Sequence, residues 1–264
     1  MQAHHSRVNP VAPSSCGACR QGEGLDFSFS YAYQPIVDTQ TGLVFAHEAL
    51  VRGPNGEGAG TVLAKVNDQN RYQFDQACRV KAIEIAARLG MSTRLSINFM
   101  PNAIYRPELC IRTTLQAAQK HGFPVDRIIF ETVEGERIDD GKWLAEVLRE
   151  YQRMGFLTAI DDFGAGFAGL NLLADFQPDL IKLDMGLVRG IDQQPARRSI
   201  VRGVAGICEE LGIDLIAEGV ETRDEFSCLQ DMGVRLIQGY FLARPMFEDC
   251  VPESAQIRPA PLPA

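Results

Sequence analysis

Leu157-Thr-Ala-Ile-Asp161-Asp162 is a short, mostly apolar segment that ends on two adjacent carboxylates. Other short apolar runs also stop on a polar side chain, namely at Asn98, Glu131, Lys182, Glu218 and Gln238. A short apolar run between turn signals is typical of a strand that is buried on both faces. A charge at the end of such a strand is costly to bury unless it is paired or bound to a metal. The repeated pattern therefore predicts strand ends arranged around one site.

Strand signals alternate with helix signals over most of the chain. A helix is predicted from Asn67-Asp68 to Leu89, and two apolar stripes at helical spacing predict two more helices, each with its stripe facing the core. The first stripe is Trp143, Leu144, Val147, Leu148 and Tyr151, and the second is Ile200, Val204, Ile207, Cys208 and Leu211, followed by Gly212. This alternation indicates an α/β protein with a mostly parallel sheet.

Two arrangements of such a sheet are possible, an open doubly wound sheet and a (β/α)8 barrel. An open sheet binds its ligand at one switch point, whereas a barrel gathers side chains from many strand ends on one face. Six polar strand ends favour the barrel. The pair of glycines in Gly164-Ala-Gly166 lacks the third glycine and the context of a dinucleotide-binding loop.

Composition narrows the class of protein. The chain has 264 residues and a net charge of −8, which argues against broad binding to polymeric nucleic acid. No apolar run approaches the roughly 20 residues of a membrane helix, and no secretory signal is visible at the start. Seven cysteines, an odd and scattered set, suggest free thiols in a reducing compartment. We expect a cytoplasmic protein without a membrane segment.

The two ends of the chain differ from its middle in composition. Residues 1–28 are rich in Pro, Ser, Gly and His and are predicted to form a flexible tail, and residues 250–264 a Pro-rich tail. The domain itself is predicted to span residues 29–249. Cys16 and Cys19 form half of a zinc-site pattern without a second cysteine pair at suitable spacing, so a tail without a metal is the favoured interpretation.

The polar strand ends suit a specific chemistry. The carboxylates of Glu131, Asp161 and Asp162 and the amide of Asn98 form an all-oxygen ligand set, which suits Mg²⁺ or Mn²⁺ better than zinc. Adjacent aspartates suit two cations, and two cations can activate a water for phosphoryl displacement. For Asp162 or Glu221 taken alone, capping of the next helix is an equally good explanation.

Two further strand ends complete this chemistry. Lys182 can stabilise the charge on a phosphate oxygen, and it can also serve as the buried partner of a carboxylate. Glu218 is a candidate general base for the attacking water.

The same residues lie within longer strings that occur in a fixed order. The strings are Tyr33-Gln34-Pro35-Ile36, His47-Glu48-Ala49-Leu50-Val51-Arg52, Ser96-Ile97-Asn98-Phe99, Glu131-Thr132-Val133-Glu134, Asp161-Asp162-Phe163-Gly164-Ala165-Gly166, Ile181-Lys182-Leu183-Asp184, Ala217-Glu218-Gly219-Val220-Glu221 and Gln238-Gly239-Tyr240. Together these strings resemble the EAL-domain family of cyclic-di-GMP phosphodiesterases over roughly residues 29 to 248.

The resemblance implies a TIM-like barrel with one antiparallel strand and hydrolysis of cyclic-di-GMP to linear pGpG. It implies two Mg²⁺ or Mn²⁺ ions. We expect Ca²⁺ to support binding of the ligand but to inhibit hydrolysis, because its larger and looser coordination fits such a site poorly. The metal ligands that the resemblance implies are Glu48, Asn98, Glu131 and Asp161 for one ion, and Asp161 and Asp162 for the other. It also implies catalytic roles for Glu218, Lys182 and Asp162, a supporting role for Gln238, and contacts to the ligand from Arg52 and Gln34.

The resemblance also implies regulation through the loop that follows Asp162 and through a homodimer. The residues assigned to this loop or to its regulation are Glu134, Gly164, Gly166 and Glu221. The chain departs from the common family pattern at Gly53, where many members have Trp, and in the loop from Gly164 to Gly169. Neither departure removes a predicted metal ligand.

Two alternatives belong to other functional classes. A family member that has lost hydrolysis would bind cyclic-di-GMP as a receptor without producing pGpG. An unrelated barrel enzyme of the enolase type also uses carboxylates and a lysine around Mg²⁺.

Overall fold

Eight strands close into a barrel in the computed structural model, which describes residues 25–104, 106–133, 141–165 and 169–257. A further strand of two residues, Met246–Phe247 (β9), pairs with the first strand at Ala32 and Tyr33. The barrel strands are β1 Ser30–Asp38, β2 Leu43–Arg52, β3 Arg94–Asn98, β4 Ile128–Val133, β5 Leu157–Phe163, β6 Leu180–Leu183, β7 Asp214–Ala217 and β8 Leu236–Ile237.

The first strand runs against all its neighbours. β1 pairs antiparallel with β2 and with β8, whereas each step from β2 to β8 is parallel. A tight turn between β1 and β2 makes the reversal possible, and Gly42 in this turn has a φ of 73°. The ring closes through β1, so the predicted barrel with one antiparallel strand is confirmed and the open sheet is wrong.

Helices follow most of the parallel strands and cover the outside of the barrel. Two of them, Arg71–Arg88 and Pro195–Leu211, are the longest. The described α-helices are α1 Ala59–Leu63, α2 Arg71–Arg88, α3 Pro107–Cys110, α4 Arg112–His121, α5 Gly141–Arg153, α6 Gly169–Asp175, α7 Met185–Val188, α8 Pro195–Leu211 and α9 Arg223–Asp231; short 3₁₀ turns lie at Pro101–Ala103, Val125–Arg127 and Ile191–Gln193.

The start of α2 differs from the prediction. The side-chain oxygen of Asn67 accepts hydrogen bonds from the N–H groups of Gln69 and Asn70, at 2.9 and 3.3 Å. These bonds form a separate turn, so the helix begins at Arg71 instead of beside Asn67. A side chain that satisfies nearby backbone groups competes with helix formation, which explains the later start.

The two predicted apolar stripes both lie on helices. In α5 the stripe is buried at Leu144, Val147, Leu148 and Tyr151. In α8 the buried face is centred on Val201, Val204 and Cys208. Ile200 and Leu211 are 51% and 45% exposed, so their predicted place in the core is wrong.

Several smaller expectations concern the rest of the chain. Cys78, Cys110, Cys208, Cys228 and Cys250 are free thiols. Cys16 and Cys19 lie outside the described residues. Near the carboxyl end, the N–H of Ile257 donates to the carbonyl of Gly42 at 2.8 Å. Among the described helices, no segment has both the length and the hydropathy that crossing a membrane requires.

Candidate metal-binding active site

The polar side chains predicted to form the site lie inside the barrel, next to an apolar layer and on the side of the carboxyl ends of the parallel strands. This layer consists of Ile36, Ala46, Ile129, Ala159, Leu180, Ile216 and Leu236. Side chains two residues apart on a strand share a face. Two positions further along β2, β4, β5, β6, β7 and β8, the same inward face therefore presents, in that order, Glu48, Glu131, Asp161, Lys182, Glu218 and Gln238. On the reversed strand β1, the same face presents Gln34, which lies two positions before Ile36.

The backbone thus gathers side chains that are up to 204 residues apart in sequence. Four of the parallel strands continue beyond their polar residue, because β2 ends at Arg52, β4 at Val133, β5 at Phe163 and β6 at Leu183. Each of these polar side chains is accordingly held by strand pairing on both sides.

Lys182 lies at the centre of this layer and is fully buried. Its Nζ atom lies 2.6 Å from Glu218 Oε1, 2.9 Å from Glu131 Oε2, 3.2 Å from Asp161 Oδ1 and 3.5 Å from Glu48 Oε1. One ammonium therefore faces four carboxylates, so the layer retains an excess of negative charge.

Burial, together with this charge, changes the protonation of the site. Burial raises the pKa of Glu131 from 4.5 to about 8, although the charge of Lys182 opposes the shift. Burial also raises the pKa of Glu218 well above its usual range, again against Lys182. For Lys182 burial alone would lower the pKa, but Glu131, Glu218 and the other carboxylates raise it well above its usual value. The lysine stays charged while the carboxylates compete for protons or cations.

Two overlapping groups of carboxylates have the geometry of metal sites. Oxygen atoms of Glu48, Glu131 and Asp161 lie within 4.8 Å of one another, and so do those of Asp161, Asp162 and Glu218. Asp161 is common to both groups. An oxygen-only donor set with surplus negative charge fits hard divalent cations such as Mg²⁺ or Mn²⁺.

Asn98 borders the first of these groups. Its amide nitrogen donates to Glu48 Oε1 at 3.2 Å and to Glu131 Oε2 at 3.3 Å. A half-turn of the amide would present its oxygen to a cation held by the same carboxylates.

Asp162 adopts an unusual backbone conformation. Its φ is 53°, a left-handed value that is uncommon for a residue other than glycine. The register between β5 and β6 shifts between Ile160 and Phe163, and the N–H of Asp162 donates to Asp161 Oδ1 at 2.9 Å. In a regular strand, neighbouring side chains point to opposite faces. The distortion lets both aspartates reach one site, and such strain is typical of functional positions.

Gln238 and Gln34 hold Glu48 from the side of β1 and β8. Gln238 Nε2 donates to Glu48 Oε2 at 2.7 Å and to Gln34 Oε1 at 3.2 Å. Gln34 Nε2 in turn donates to the carbonyl of Ala243 at 3.1 Å. All three side chains are buried, so this chain of amides fixes the orientation of the carboxylate.

Two glycines allow the loops after β6, β7 and β8 to pack closely. A Cβ atom on Gly219, whose φ is 66°, would lie 2.8 Å from Met185 Cβ. A Cβ atom on Gly239 would lie 2.0 Å from the carbonyl oxygen of Val220. Glu218 directly follows β7, which lies between the strand of Lys182 and the strand before Gln238.

A cleft of about 290 Å³ opens from this layer. Its wall includes Gln34, Glu48, Glu218 and Gln238, together with exposed Met185 and Tyr240. The guanidinium of Arg244 lies 4.4 Å from the centre of the Tyr240 ring. An adjoining, mainly apolar cavity of about 320 Å³ is lined by Arg52, Asn98 and other residues of β1, β2 and α2.

The other predicted site residues that the structure describes lie at or beyond the rim. Arg52 NH1 donates to the carbonyl of Val51 at 2.8 Å. Exposed Glu221 forms an ion pair with Arg189, and the helix that follows is capped by Thr222 instead. Gly164 lies in the turn after β5, beside Leu187. Glu134 and Gly166 lie outside the described residues.

The departure at Gly53 has a local structural reason. A Cβ atom at this position would lie 2.2 Å from Glu57 Oε2, and the N–H of Gly53 donates to the carbonyl of Glu57 at 2.8 Å. A larger residue would displace the Glu57 carboxylate from this loop.

Ser96 is a site residue that the sequence analysis missed. It lies two positions before Asn98, on the same inward face, and its hydroxyl donates to Glu131 Oε1. The period of two along β3 was the available signal.

Known proteins of one family resemble this chain. Residues 23–245 match the model of the EAL domain. The blue light- and temperature-regulated antirepressor BluF of Escherichia coli (strain K12) is 30% identical over 81% of this chain and 53% of its own length. The cyclic di-GMP phosphodiesterase RocR of Pseudomonas aeruginosa is 33% identical over 61% of this chain and 41% of its own length. The chain spans about half, or less, of the length of these curated relatives.

Solved structures share the fold. A standalone EAL protein from Vibrio cholerae O395, in its c-di-GMP bound form, is 50% identical and superposes with a TM-score of 0.85 over 89% of this chain and 98% of that one. Klebsiella pneumoniae BlrP1, in a manganese and cy-diGMP complex at pH 9.0, is 35% identical with a TM-score of 0.80 over 86% of this chain and 58% of that one. The family model covers most of the sequence, and the barrel agrees with it: the chain belongs to the EAL domain family.

Proposed function

We propose that this protein is a metal-dependent phosphodiesterase that hydrolyses cyclic-di-GMP to linear 5′-pGpG. The observation that carries the proposal is the buried layer in which Lys182 faces four carboxylates at the carboxyl ends of the parallel strands. Relatives named as cyclic di-GMP phosphodiesterases and solved family members with bound cy-diGMP support the choice of substrate.

The proposed metal ligands follow from the two carboxylate groups. Glu48, Asn98, Glu131 and Asp161 would hold one Mg²⁺ or Mn²⁺ ion, and Asp161 and Asp162 would hold a second. When bound, such a pair of ions polarises the phosphoryl group and lowers the pKa of water.

The protein's own side chains would then have distinct tasks. Lys182 is fully buried and charged, so it stabilises negative charge on a phosphate oxygen without a cost of reorganisation. Glu218 is the proposed base, which accepts a proton from the attacking water. Cations close to Glu218 favour its ionised form and so counter the raised pKa that burial gives it.

Residues at the rim would bind the dinucleotide. Arg52 is proposed to contact a phosphate, because a guanidinium fork matches phosphate geometry. Gln34 is proposed to contact the ligand, and Gln238 to support Glu48 through the bond at 2.7 Å.

The finer predictions on regulation and cellular context remain proposals. Glu134, Gly164, Gly166 and Glu221 are proposed to act in the loop that couples the site to a homodimer. Residues 29–249 are proposed as the catalytic domain between tails at 1–28 and 250–264.

Ca²⁺ is proposed to inhibit, since its larger and looser coordination fits this site poorly. We propose that the protein works in the cytoplasm.

A timed assay of the purified full chain with cyclic-di-GMP tests the proposal. We expect pGpG to accumulate with Mg²⁺ or Mn²⁺ and not with Ca²⁺ or a chelator. Tight binding without pGpG would make the protein a receptor. Failure to bind cyclic-di-GMP, together with abstraction of a proton next to a carboxylate in a test substrate, would favour an enolase-type enzyme.

A further inference from the structure

Glu225 is a buried carboxylate that lies outside the metal-binding layer. It is 3% exposed and belongs to the first turn of α9. Its Oε2 atom accepts hydrogen bonds from the N–H groups of Glu221 and Thr222, both at 3.0 Å. Thr222 Oγ1 accepts in return from the N–H of Glu225 at 3.2 Å. These contacts form a capping box at the start of the helix.

The other oxygen of Glu225 makes a contact that a capping box does not require. Its Oε1 atom accepts a hydrogen bond from the N–H of Gly190 at 2.8 Å. Gly190 follows α7, the short helix after β6, and has a left-handed φ of 60°. A single carboxylate therefore joins the turn after β7 to the segment after β6.

These two segments carry the residues at the centre of the site. Lys182 lies on β6 and Glu218 directly follows β7, with Nζ and Oε1 2.6 Å apart. Two further contacts join the segments: Met185 packs against Gly219, and Arg189 pairs with Glu221 at the surface. An exposed ion pair contributes little, so the buried Glu225 carboxylate is the stronger polar connection.

The hydrogen bonds also keep Glu225 ionised. Burial alone would raise its pKa, but the N–H donors of Gly190, Glu221 and Thr222 lower it below 4.5. Both oxygens thus act as acceptors near neutral pH. A glutamine at this position would offer one acceptor oxygen, and its amide group would face an N–H donor.

We propose that Glu225 is a positioning residue, which locks the turn after β7 to the segment after β6 and thereby keeps Glu218 at Lys182. This inference rests on the proposed hydrolysis of cyclic-di-GMP. Glu225 itself does not touch the reacting atoms; it acts through the turn Gly219–Thr222.

Three variants separate this role from helix capping. Thr222→Ala removes a capping bond of α9 but leaves the Gly190 contact, so it is the matched control. Glu225→Gln retains one acceptor, and Glu225→Ala removes both. Misplacement of a catalytic group by a fraction of an ångström has large effects on rate, so we expect Glu225→Ala to lower kcat about tenfold with KM within about twofold. Thr222→Ala should lower Tm comparably and keep kcat within about twofold.

Hydrogen exchange of the same variants gives a readout that does not depend on turnover. We expect exchange to rise together in residues 184–192 and 218–222 for Glu225→Ala and Glu225→Gln, and only at the start of α9 for Thr222→Ala. Equal kcat per folded molecule in the Thr222 and Glu225 variants would overturn the catalytic part of the proposal. Unchanged protection of residues 184–192 in Glu225→Ala would overturn the connection itself. If the wild-type chain did not hydrolyse cyclic-di-GMP, the proposed function would fail, and the exchange result would still decide whether the connection exists.

Discussion

Lys182 Nζ lies 2.9 Å from Glu131 Oε2, although their strands are separated in the barrel by β5. Both side chains are 0% exposed. The pair spans the barrel interior, and the negative charge around it exceeds what the lysine neutralises. We therefore expect stability, metal binding and catalysis to depend on the same few atoms.

Removal of the lysine should destabilise the metal-free protein. Lys182→Met leaves buried carboxylates without their cation, and breaking a buried pair in this way typically costs about 3–5 kcal/mol. We expect a loss in this range by urea unfolding in the presence of a chelator, and a smaller loss in Mn²⁺, which supplies positive charge to the same carboxylates. Lys120→Met changes an exposed lysine and serves as the control. Equal losses for both variants would contradict the central role of Lys182.

Removal of a shared carboxylate should abolish metal binding. Asp161 contributes to both carboxylate groups, and Glu48 to one of them. By calorimetry, we expect Asp161→Ala to lose all measurable Mn²⁺ binding. Glu48→Ala should lose only the binding of Mn²⁺ to the group that Glu48 forms with Glu131 and Asp161. Glu84→Ala, a change at an exposed carboxylate, should bind as the wild type does. Normal Mn²⁺ binding by Asp161→Ala would place the metals elsewhere.

Glu218 should affect the chemical step more than binding. Glu218→Gln preserves the shape of the side chain but removes the proton acceptor, and general base catalysis typically contributes about 10²–10⁴-fold. We expect kcat for cyclic-di-GMP to fall by this factor while the Kd for cyclic-di-GMP, measured in Ca²⁺, changes by less than about threefold. A variant with near-normal kcat would show that another group takes the proton.

Ser96 should affect the affinity for metal through its hydrogen bond to Glu131. Its hydroxyl donates to Glu131 and orients that carboxylate. Partners of metal ligands typically account for 10–100-fold in affinity or activity, so we expect Ser96→Ala to weaken Mn²⁺ binding by about tenfold. Thr158→Val is the matched control. Thr158 lies on the outer face of β5, and its buried hydroxyl donates to Asp179. Similar Mn²⁺ affinities for both variants would argue against the role of Ser96.

The barrel could be predicted from the sequence because six apolar runs end on a polar side chain, and a barrel gathers the ends of many strands on one face. The sequence also predicted Glu131, Asp161, Lys182 and Glu218 as neighbours, since each directly follows an apolar run. It missed Ser96 because a serine within a strand carries no charge that demands a partner.

Tertiary contacts explain what local patterns left open. Glu225 was missed because its partner Gly190 is 35 residues away and contributes a backbone N–H, which no side-chain pattern marks. The exposure of Ile200 and Leu211 depends on how α8 is rotated against the barrel. Adjacent apolar pairs, such as Ile200-Val201 and Ile207-Cys208, do not fix that rotation.

The metal-free protein should lose stability as the pH rises. The pKa of Glu131 is 4.5 in the unfolded chain and about 8 in the folded protein, so the folded state binds more protons between these values. Stability falls with pH wherever the folded state holds the extra proton, and the raised pKa values of Glu218 and Asp162 act in the same direction. We therefore expect Tm in a chelator to decrease from pH 6.5 to pH 8.

Between pH 6.5 and pH 8, the effect of the carboxylates on stability can be distinguished from that of His47. Burial lowers the pKa of His47 to about 4, so this residue makes stability rise with pH only below about 6.5. Glu131→Gln cannot titrate and should flatten the decrease in Tm, whereas Glu84→Ala should leave it unchanged. Mn²⁺ should also flatten it, because a cation keeps the carboxylates ionised at every pH in the window. A Tm that rises with pH in the chelator would contradict the raised pKa of Glu131.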